Sequence, residues 1–326
     1  MPDTHTKSAA KPLCANDLNA VIAIDQAASG ISRRGYFEKR LKAATENPRD
    51  YVFVGVFDSE DLAGFAFAQM NKGEFGKAGS SASLDAIGVR QGHGLKGVGQ
   101  QLLGEVERIL RHKGVAQVTS QLDWDQLNVL SFLAHEGFGL APSVILIRDT
   151  SEMRQVLEEI EEDDEIDFSS PEGDAENALS RDRVPVRTME EGDLTKIIAI
   201  DAANFGRERS TYFARKQEEN LKQSGVRVSL VAEQDGFPVG FIMARVDYGE
   251  FGRASAEAVM DSIGVDPGFQ HDGIGYALMA KLMTNLNILQ VETVRTEVEW
   301  NDTALIGYLA AMGFTPAQRI ALQKQL

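Results

Sequence analysis

The same signposts occur twice in this chain at one fixed separation. Asp17-Leu18 returns as Asp193-Leu194, Ala23-Ile24-Asp25 as Ala199-Ile200-Asp201, and Tyr36-Phe37 as Tyr212-Phe213. Gly73-Glu74-Phe75-Gly76 returns as Gly249-Glu250-Phe251-Gly252, Ile87-Gly88-Val89 as Ile263-Gly264-Val265, Trp124 as Trp300, and Gly137-Phe138 as Gly313-Phe314, every pair 176 positions apart. A constant offset over that span means two copies of one domain with almost no change in loop length. Solenoid repeats are about 20–45 residues, so a period this long predicts two copies that are each a self-sufficient domain. The boundaries read as a disordered polar tail over 1–11, a first copy over 12–150, an acidic linker over 151–183 and a second copy over 184–326.

Composition excludes several function classes. With 326 residues, 43% of them hydrophobic and 25% charged, the chain has the make-up of a soluble globular protein large enough for two cores. No apolar run approaches the roughly 20 residues needed to span a bilayer, and residues 1–8 lack the core of a signal peptide. The expectation is a cytoplasmic protein without a membrane partner. Cys14 is the single cysteine, which rules out an internal disulfide and a cysteine metal cluster, and the five histidines show no HExxH spacing, so no metal is expected. A net charge of −16 argues against nucleic acid, whose binding rests on Lys and Arg facing phosphates. Much of that charge is local: residues 151–182 hold thirteen acidic side chains against Arg154 and Arg181. After a short helical stretch over 151–160, like charges at this density predict a solvated linker, with a docking tail for a basic partner as the alternative.

Each half alternates strand-like and helical stretches. In the first, helices are expected over 16–28, 35–44, 97–112 and 126–136, and strands over 51–56, 64–70, 83–89, 116–122 and 143–148, all within one mixed layer. In the second half, residues 261–279 read as strand, turn and helix. Residues 259–265 are β-prone, Asp266-Pro267-Gly268 stops the strand, and Tyr276-Ala277-Leu278-Met279 resumes with helical spacing. Between them, Gly273 and Gly275 in Gln270-His271-Asp272-Gly273-Ile274-Gly275 remove side chains that would keep a ligand off the main chain. The first-turn N–H groups of a helix have no intrahelical partner and lie at the positive end of its dipole, so this loop is a seat for a phosphate or pyrophosphate.

Gln270-x-x-Gly273-x-Gly275, after a strand ending Ile263-x-Val265 and Asp266-Pro267, resembles the acyl-CoA pyrophosphate loop of the GNAT superfamily of N-acetyltransferases. Downstream, Asn301, Ala304, Tyr308 and Gly313-Phe314 match the family's Asn-x-x-Ala-x-x-x-Tyr-x-x-x-x-Gly-Phe pattern. The resemblance implies an α/β (α+β) fold of two tandem domains, each a mixed, mostly antiparallel sheet flanked by helices. It implies acetyl-CoA as co-substrate and an amine-bearing small molecule or protein as acceptor. By the same resemblance the pantetheine arm would lie against the main chain of Ile263 and Val265, in a splay between the fourth and fifth strands. The pyrophosphate would lie on N–H groups from Gln270, His271, Asp272, Gly273, Ile274, Gly275 and Tyr276.

Asn301 would bind the cofactor or cap the following helix. Tyr308 stands where many members hold the general acid for the CoA thiolate, and an ordinary tyrosine pKa near 10 suits proton donation; ring packing against the sheet is the structural alternative. For the general base there are two candidates. Glu297 lies four residues before Asn301, one fewer than the family's usual spacing, and a one-residue slip reverses a strand side chain. Asp261 shares a face with Ile263 and Val265, but its twin Asp85 persists in the other copy, which fits a structural role equally well. Some family members use an ordered water instead.

The two copies differ where the resemblance places function. Gln270, Asn301 and Tyr308 become Gly94, Asp125 and Phe132 in the first copy, which keeps Gly97 and Gly99 as a weak cofactor pocket or a relic. Gly92-His93-Gly94-Leu95-Lys96-Gly97 has the formal GxGxxG spacing of a dinucleotide site, but its counterpart loses that spacing and neither half is a series of βαβ units, so NAD is not expected. Glu74 and Glu250 are assigned to fold or domain contact. Tyr212-Phe213 reads as core, with acceptor contact as the alternative. The expectation is a tandem N-acetyltransferase active in its second copy. The competing class is a non-catalytic acetyl-CoA-binding or scaffold protein; retention of Gln270 and Tyr308 in one copy favours catalysis. The acceptor is open among a small amine, an antibiotic, an amino acid and a protein N-terminus, and so is the oligomeric state.

Overall fold

The computed structural model describes residues 10–71, 80–93, 97–150, 184–214, 216, 228–248 and 256–326. The repeated 73–76 and 249–252 segments with Glu74 and Glu250, the residue Gly94 and the acidic segment 151–183 lie outside the described residues. The first copy runs β1 (Lys11–Pro12), α1 (Leu18–Ser29), α2 (Arg34–Glu46), β2 (Tyr51–Asp58), β3 (Asp61–Asn71), β4 (Ser81–Val89), α3 (Val98–His112), β5 (Gln117–Asp123), α4 (Leu127–His135), β6 (Gly139–Leu140) and β7 (Ser143–Asp149). The second runs β8 (Val186–Thr188), α5 (Leu194–Phe205), β9 (Leu230–Gln234), β10 (Phe237–Tyr248), β11 (Ala256–Val265), α6 (Ile274–Ile288), β12 (Thr293–Glu299), α7 (Thr303–Ala311), β13 (Thr315–Pro316) and β14 (Arg319–Gln325). Lys11, which the sequence places in the tail, already pairs with Gly55.

Several of the repeated signposts are local ties. Asp17 and Asp193 each accept from a main-chain N–H three residues back, of Cys14 at 2.9 Å and Glu190 at 2.8 Å, closing the turn that enters the first helix of each copy. Asp25 and Asp201 hold Arg33 and Arg209 in buried ion pairs between that helix and the next. Tyr36-Phe37 and Tyr212-Phe213 are fully buried, as expected of core aromatics. In each copy one cluster packs the first helices on one sheet face, around Phe37 and Phe65 or Phe213 and Phe241. A second packs α3 or α6 on the opposite face, around Leu102 and Leu110 or Leu278 and Leu282.

The expectation of two self-sufficient copies is corrected by the strand order. One sheet reads β1-β2-β3-β4-β5-β14-β6 and the other β13-β7-β12-β11-β10-β9-β8. The copies therefore exchange their last full strands. β7 does not complete the first copy's layer; it pairs antiparallel with β12, Thr293 opposite Asp149 through Glu299 opposite Ser143, and brings Leu146 into the second core. β14 pairs with β5 in the same way and brings Leu322 into the first core. The exchange leaves hydrophobic patterning unchanged, because each strand lands at the position its twin vacates. Where the exchanged strands cross, Ala141, Ile145 and Ala321 pack together.

The site is opened by a bulge. Between β10 and β11, Met243 faces Ser262 but Ala244 faces Met260, so Asp261 is an extra residue in β11. A bulge bends its strand and sharpens its twist. Beyond it β11 diverges from β12, and their parallel ladder covers only Glu257, Ala258 and Val259 against Thr293, Val294 and Arg295. The first copy repeats this at Asp85, with a ladder from Ser81↔Gln117 to Ser83↔Thr119. In both copies a hydroxyl takes the carbonyl freed at the fork: Thr296 Oγ1 donates to the Met260 carbonyl and Ser120 Oγ to that of Leu84, each at 2.9 Å.

Candidate active site

The fork between β11 and β12 opens into a cleft of about 410 Å³. β11 lines it with Met260, Asp261, Ser262 and Ile263, and β12 with Thr296 to Glu299. Asn301, Asp302 and Leu305 line it too, as do Phe205, the last residue of α5, and Arg207 just after it. Of the sequence candidates, Asp261, Ile263, Glu297 and Asn301 meet here. Val265 lies farther along β11, and its carbonyl accepts from Asn204 Nδ2 at 3.0 Å. Asn301 is exposed and does not cap the helix; Asp302 does, its Oδ1 accepting from the Leu305 N–H at 3.0 Å.

The loop from Asp266 to Tyr276 wraps the start of α6. Asp266 accepts from the Gly268 N–H at 3.1 Å, and this bond, with the ion pair to Lys196 at 3.1 Å, holds its carboxyl below the usual carboxylate range. Gln270 Nε2 donates to Asn204 Oδ1 at 3.1 Å, so its side chain ties the loop to α5 rather than reaching into ligand space. The twins of Asn204 and Gln270 are Ala28 and Gly94, so the first copy lacks both ends of the tie. Sequence reading found Gln270 and missed Asn204, although the joint loss at twin positions was visible.

Gly273 stands at the helix N-cap with φ +76°, where a Cβ is strained and glycine is favoured. His271 shares that left-handed conformation at φ +73°. Gly275 answers to a different constraint from the one expected. A Cβ there would lie 3.2 Å from the Tyr308 ring and hydroxyl, so the space is filled by tyrosine and not kept open for a ligand. In the first copy a Cβ on Gly99 would lie the same 3.2 Å from the Phe132 ring.

The Tyr308 hydroxyl donates to the Gly275 carbonyl at 2.8 Å. Burial raises its pKa, partly offset by the Arg148 guanidinium, so the phenol keeps its proton throughout the neutral range. Arg148 belongs to β7, the strand received from the first copy.

The two carboxylates of the cleft sit in different settings. Burial pushes the Asp261 carboxyl up, but Arg245, Lys216 and then Arg295 outweigh it and hold it below the usual range. Asp261 is paired with Arg245 and lies 3.5 Å from Lys216 Nζ. Glu297 accepts from Gln121 Nε2 at 2.8 Å and Ser143 Oγ at 2.6 Å, both from the first copy. Neither partner was legible, because exchange of strands leaves no local mark in sequence.

A forked parallel strand pair beside a helix N-terminus, built twice in one chain, agrees with the sequence match. Residues 19–138 and 194–314 match the acetyltransferase (GNAT) family, so the chain belongs to it and carries two tandem copies. It is an acetyltransferase of GNAT type.

A mycothiol acetyltransferase from Sanguibacter keddieii is 29% identical over 323 residues, 94% of this chain and 92% of that protein. A tandem GNAT protein from the clavulanic acid biosynthesis pathway superposes with TM-score 0.62 at 16% identity, over 97% of this chain and 98% of that one. A GCN5-related glucosamine N-acetyltransferase region in a fungal multi-domain GH3 β-N-acetylglucosaminidase gives 0.66 at 15% identity, over 96% of this chain but 37% of that one. These solved structures share the fold. Among the described residues, no helix is long and apolar enough to cross a membrane.

Proposed function

We propose that the second copy transfers an acetyl group directly from acetyl-CoA to a primary amine. The observation that carries this is the ladder of β11 and β12 ending at Val259 and Arg295, beyond which the two strands part and line the cleft, with β11 running on through Asp266 into the Gly273 N-cap of α6. In this reading the pantetheine arm lies along β11 near Ile263, and its pyrophosphate meets first-turn N–H groups from Gly273 to Tyr276. Acetyl-CoA supplies a thioester-activated acetyl group. Glu297 takes the proton of the acceptor ammonium; the neutral amine adds to the acetyl carbon, the C–N bond forms as the C–S bond breaks, the thiolate accepts a proton from Tyr308, and the second proton shed by the acylated nitrogen returns through water to the Tyr308 oxygen. For that step the Tyr308 hydroxyl turns away from the Gly275 carbonyl. Asp261 is the weaker base candidate, because its cations hold the carboxylate in its ionised form and lower its affinity for a proton.

Direct transfer fits the nucleophile inventory of the cleft. The chain's single cysteine, Cys14, lies just before α1 in the first copy. Thr296 Oγ1 is committed to the Met260 carbonyl, and Ser262 Oγ accepts from Arg209 Nη2 at 3.0 Å. The mycothiol acetyltransferase relative supports placing mycothiol-related amines first in an acceptor screen. The test is to incubate the protein and acetyl-CoA with a panel of such amines, amino sugars, amino acids and peptides, and to read acetylated products by mass spectrometry. Tight acetyl-CoA binding with no product across the panel would favour the scaffold alternative.

A further inference from the structure

Glu297 is held in place by the other copy. Gln121, at the twin position of Glu297, faces it across the junction, and Ser143 opens the strand that the first copy contributes to the second sheet. Gln121, Ser143 and Glu297 are 5%, 7% and 6% exposed. The other end of the Gln121 amide accepts from Arg295 Nη1 at 3.3 Å. Arg295 Nε donates to Glu257 Oε2 at 2.7 Å, which also accepts from Arg319 Nη1 at 3.3 Å. Arginine can only donate and an ionised carboxylate can only accept, so one amide orientation satisfies both neighbours of Gln121.

We propose that the first copy acts as a positioning partner of the second copy's acceptor site, with Gln121 and Ser143 fixing the Glu297 carboxylate toward the cleft. This rests on the reading of Glu297 as the group that takes the acceptor's proton. The balance is a single transfer: one N–H proton passes to a Glu297 oxygen, and the nitrogen lone pair becomes available to the acetyl carbon. A mere seam between copies needs no such cluster, since Ala141, Ile145 and Ala321 close the neighbouring contact with apolar atoms, and buried ionic groups are costly to desolvate. The charged groups around Glu297 are Arg295 and Glu299 on its own strand, Glu257 and Asp261 on β11, Arg319 on β14, Asp123 on β5 and Asp302 before α7, with Arg245 and Lys216 beyond Asp261.

Four variants separate the inference from the reading beneath it. Glu297→Gln lowers kcat/KM for the fastest amine of the panel by about 10² to 10⁴-fold; an unchanged rate rejects Glu297 as the proton acceptor. Gln121→Glu sets two buried carboxylates face to face, so one must take a proton. The acid limb of its kcat/KM profile moves up by about one pH unit or more. Ser143→Ala moves the limb the same way by less, and Ser143→Thr, which keeps the donor, restores the parental profile. Carboxyl ¹³C NMR of glutamate-labelled protein, with Glu297 assigned through Glu297→Gln, reads the same shifts without an acceptor. The Kd for acetyl-CoA stays parental in all four variants. If Glu297→Gln is slow while Ser143→Ala changes only thermal stability, with the limb and the NMR titration unmoved, the positioning role is overturned and the role of Glu297 stands. Should Gln121→Glu fail to fold, the Ser143→Ala and Ser143→Thr pair decides alone.

Discussion

Tyr308 and Phe132 hold one position in two copies of one fold, and a single hydroxyl separates them. Both rings fill the space that a glycine leaves on the helix opposite, Gly275 or Gly99, so the ring serves packing in either copy. The hydroxyl makes one bond, to the Gly275 carbonyl, and losing such a bond costs about 0.5–1.5 kcal/mol. Tyr308→Phe is therefore expected to leave the acetyl-CoA Kd and the fold intact while lowering kcat, because negative charge on sulfur develops only as the thiolate leaves. About 10²-fold is expected, the lower end of acid–base contributions, since water can supply the proton in part. An unchanged kcat, with chemistry shown to be rate-limiting, would leave Tyr308 a packing residue.

Asp261 gives a stability prediction at the same scale. Its folded pKa is depressed, so its contribution is present above the unfolded carboxylate value near 4 and is lost as pH falls through the lower folded value. Asp261→Asn leaves Arg245 and Lys216 facing an uncharged group, at a cost of about 3 kcal/mol for breaking a buried pair. The variant's urea midpoint should be lower at pH 7, and the gap to the parent should close in strong acid. A gap independent of pH would remove the charge argument. These two residues were visible in sequence as chemistry, but not their partners: Arg245 and Lys216 reach Asp261 only once β10, β11 and the helical segment after residue 209 are packed.

At the scale of elements, the sequence was most informative where one stretch carries its own pattern. The helices of the first copy and its strands agree with their hydrophobic periods, and the strand, turn and helix around Gly273 stand where Asp266-Pro267 and the glycines place them. The bulge at Asp261 was hidden because no single residue type signals an unpaired register. The loop-to-helix junction yields a comparison between copies. Gly273 and Gly97 are both left-handed N-caps, so a β-branched residue strains either, but only the second loop is tied by Gln270 to Asn204. Gly273→Val is expected to abolish measurable acetyl-CoA binding by calorimetry, whereas Gly97→Val changes it less than twofold. Equal losses, or two equivalent sites in the parent protein, would overturn the asymmetry between copies. Asn204→Ala tests the tie itself: the loop loses its anchor, and acetyl-CoA affinity should fall about tenfold, the effect of roughly 1.4 kcal/mol.

At the scale of the molecule, repetition was legible and exchange was not, because a swapped and an unswapped pair have the same sequence periodicity. β7 and β14 are twins: Ser143–Asp149 and Arg319–Gln325 span the same positions of the two copies. Each sits in the other's sheet, so polypeptide 184–326 by itself has a vacant lane between β12 and β13 and a strand, β14, without its β5 partner. An open lane flanked by unpaired strand edges recruits another strand, and identical chains fill such lanes by reciprocal exchange. The isolated second copy is therefore expected to form a symmetric dimer in which each β14 takes the place of β7. Leu322 then stands where Leu146 packs, conserving the core residue. The junction is less well matched, for Glu297 meets a second Glu297 where it now meets Gln121, with Arg319 replacing Ser143 beside it. Two buried carboxylates at that point disfavour full ionisation, so the dimer should weaken as pH rises through the neutral range, while the parent chain holds its form. Light scattering across pH 5 to 8 measures this directly. A folded, stable monomer of 184–326 would mean that β14 closes into its own sheet, and that the exchange depends on having both copies in one chain.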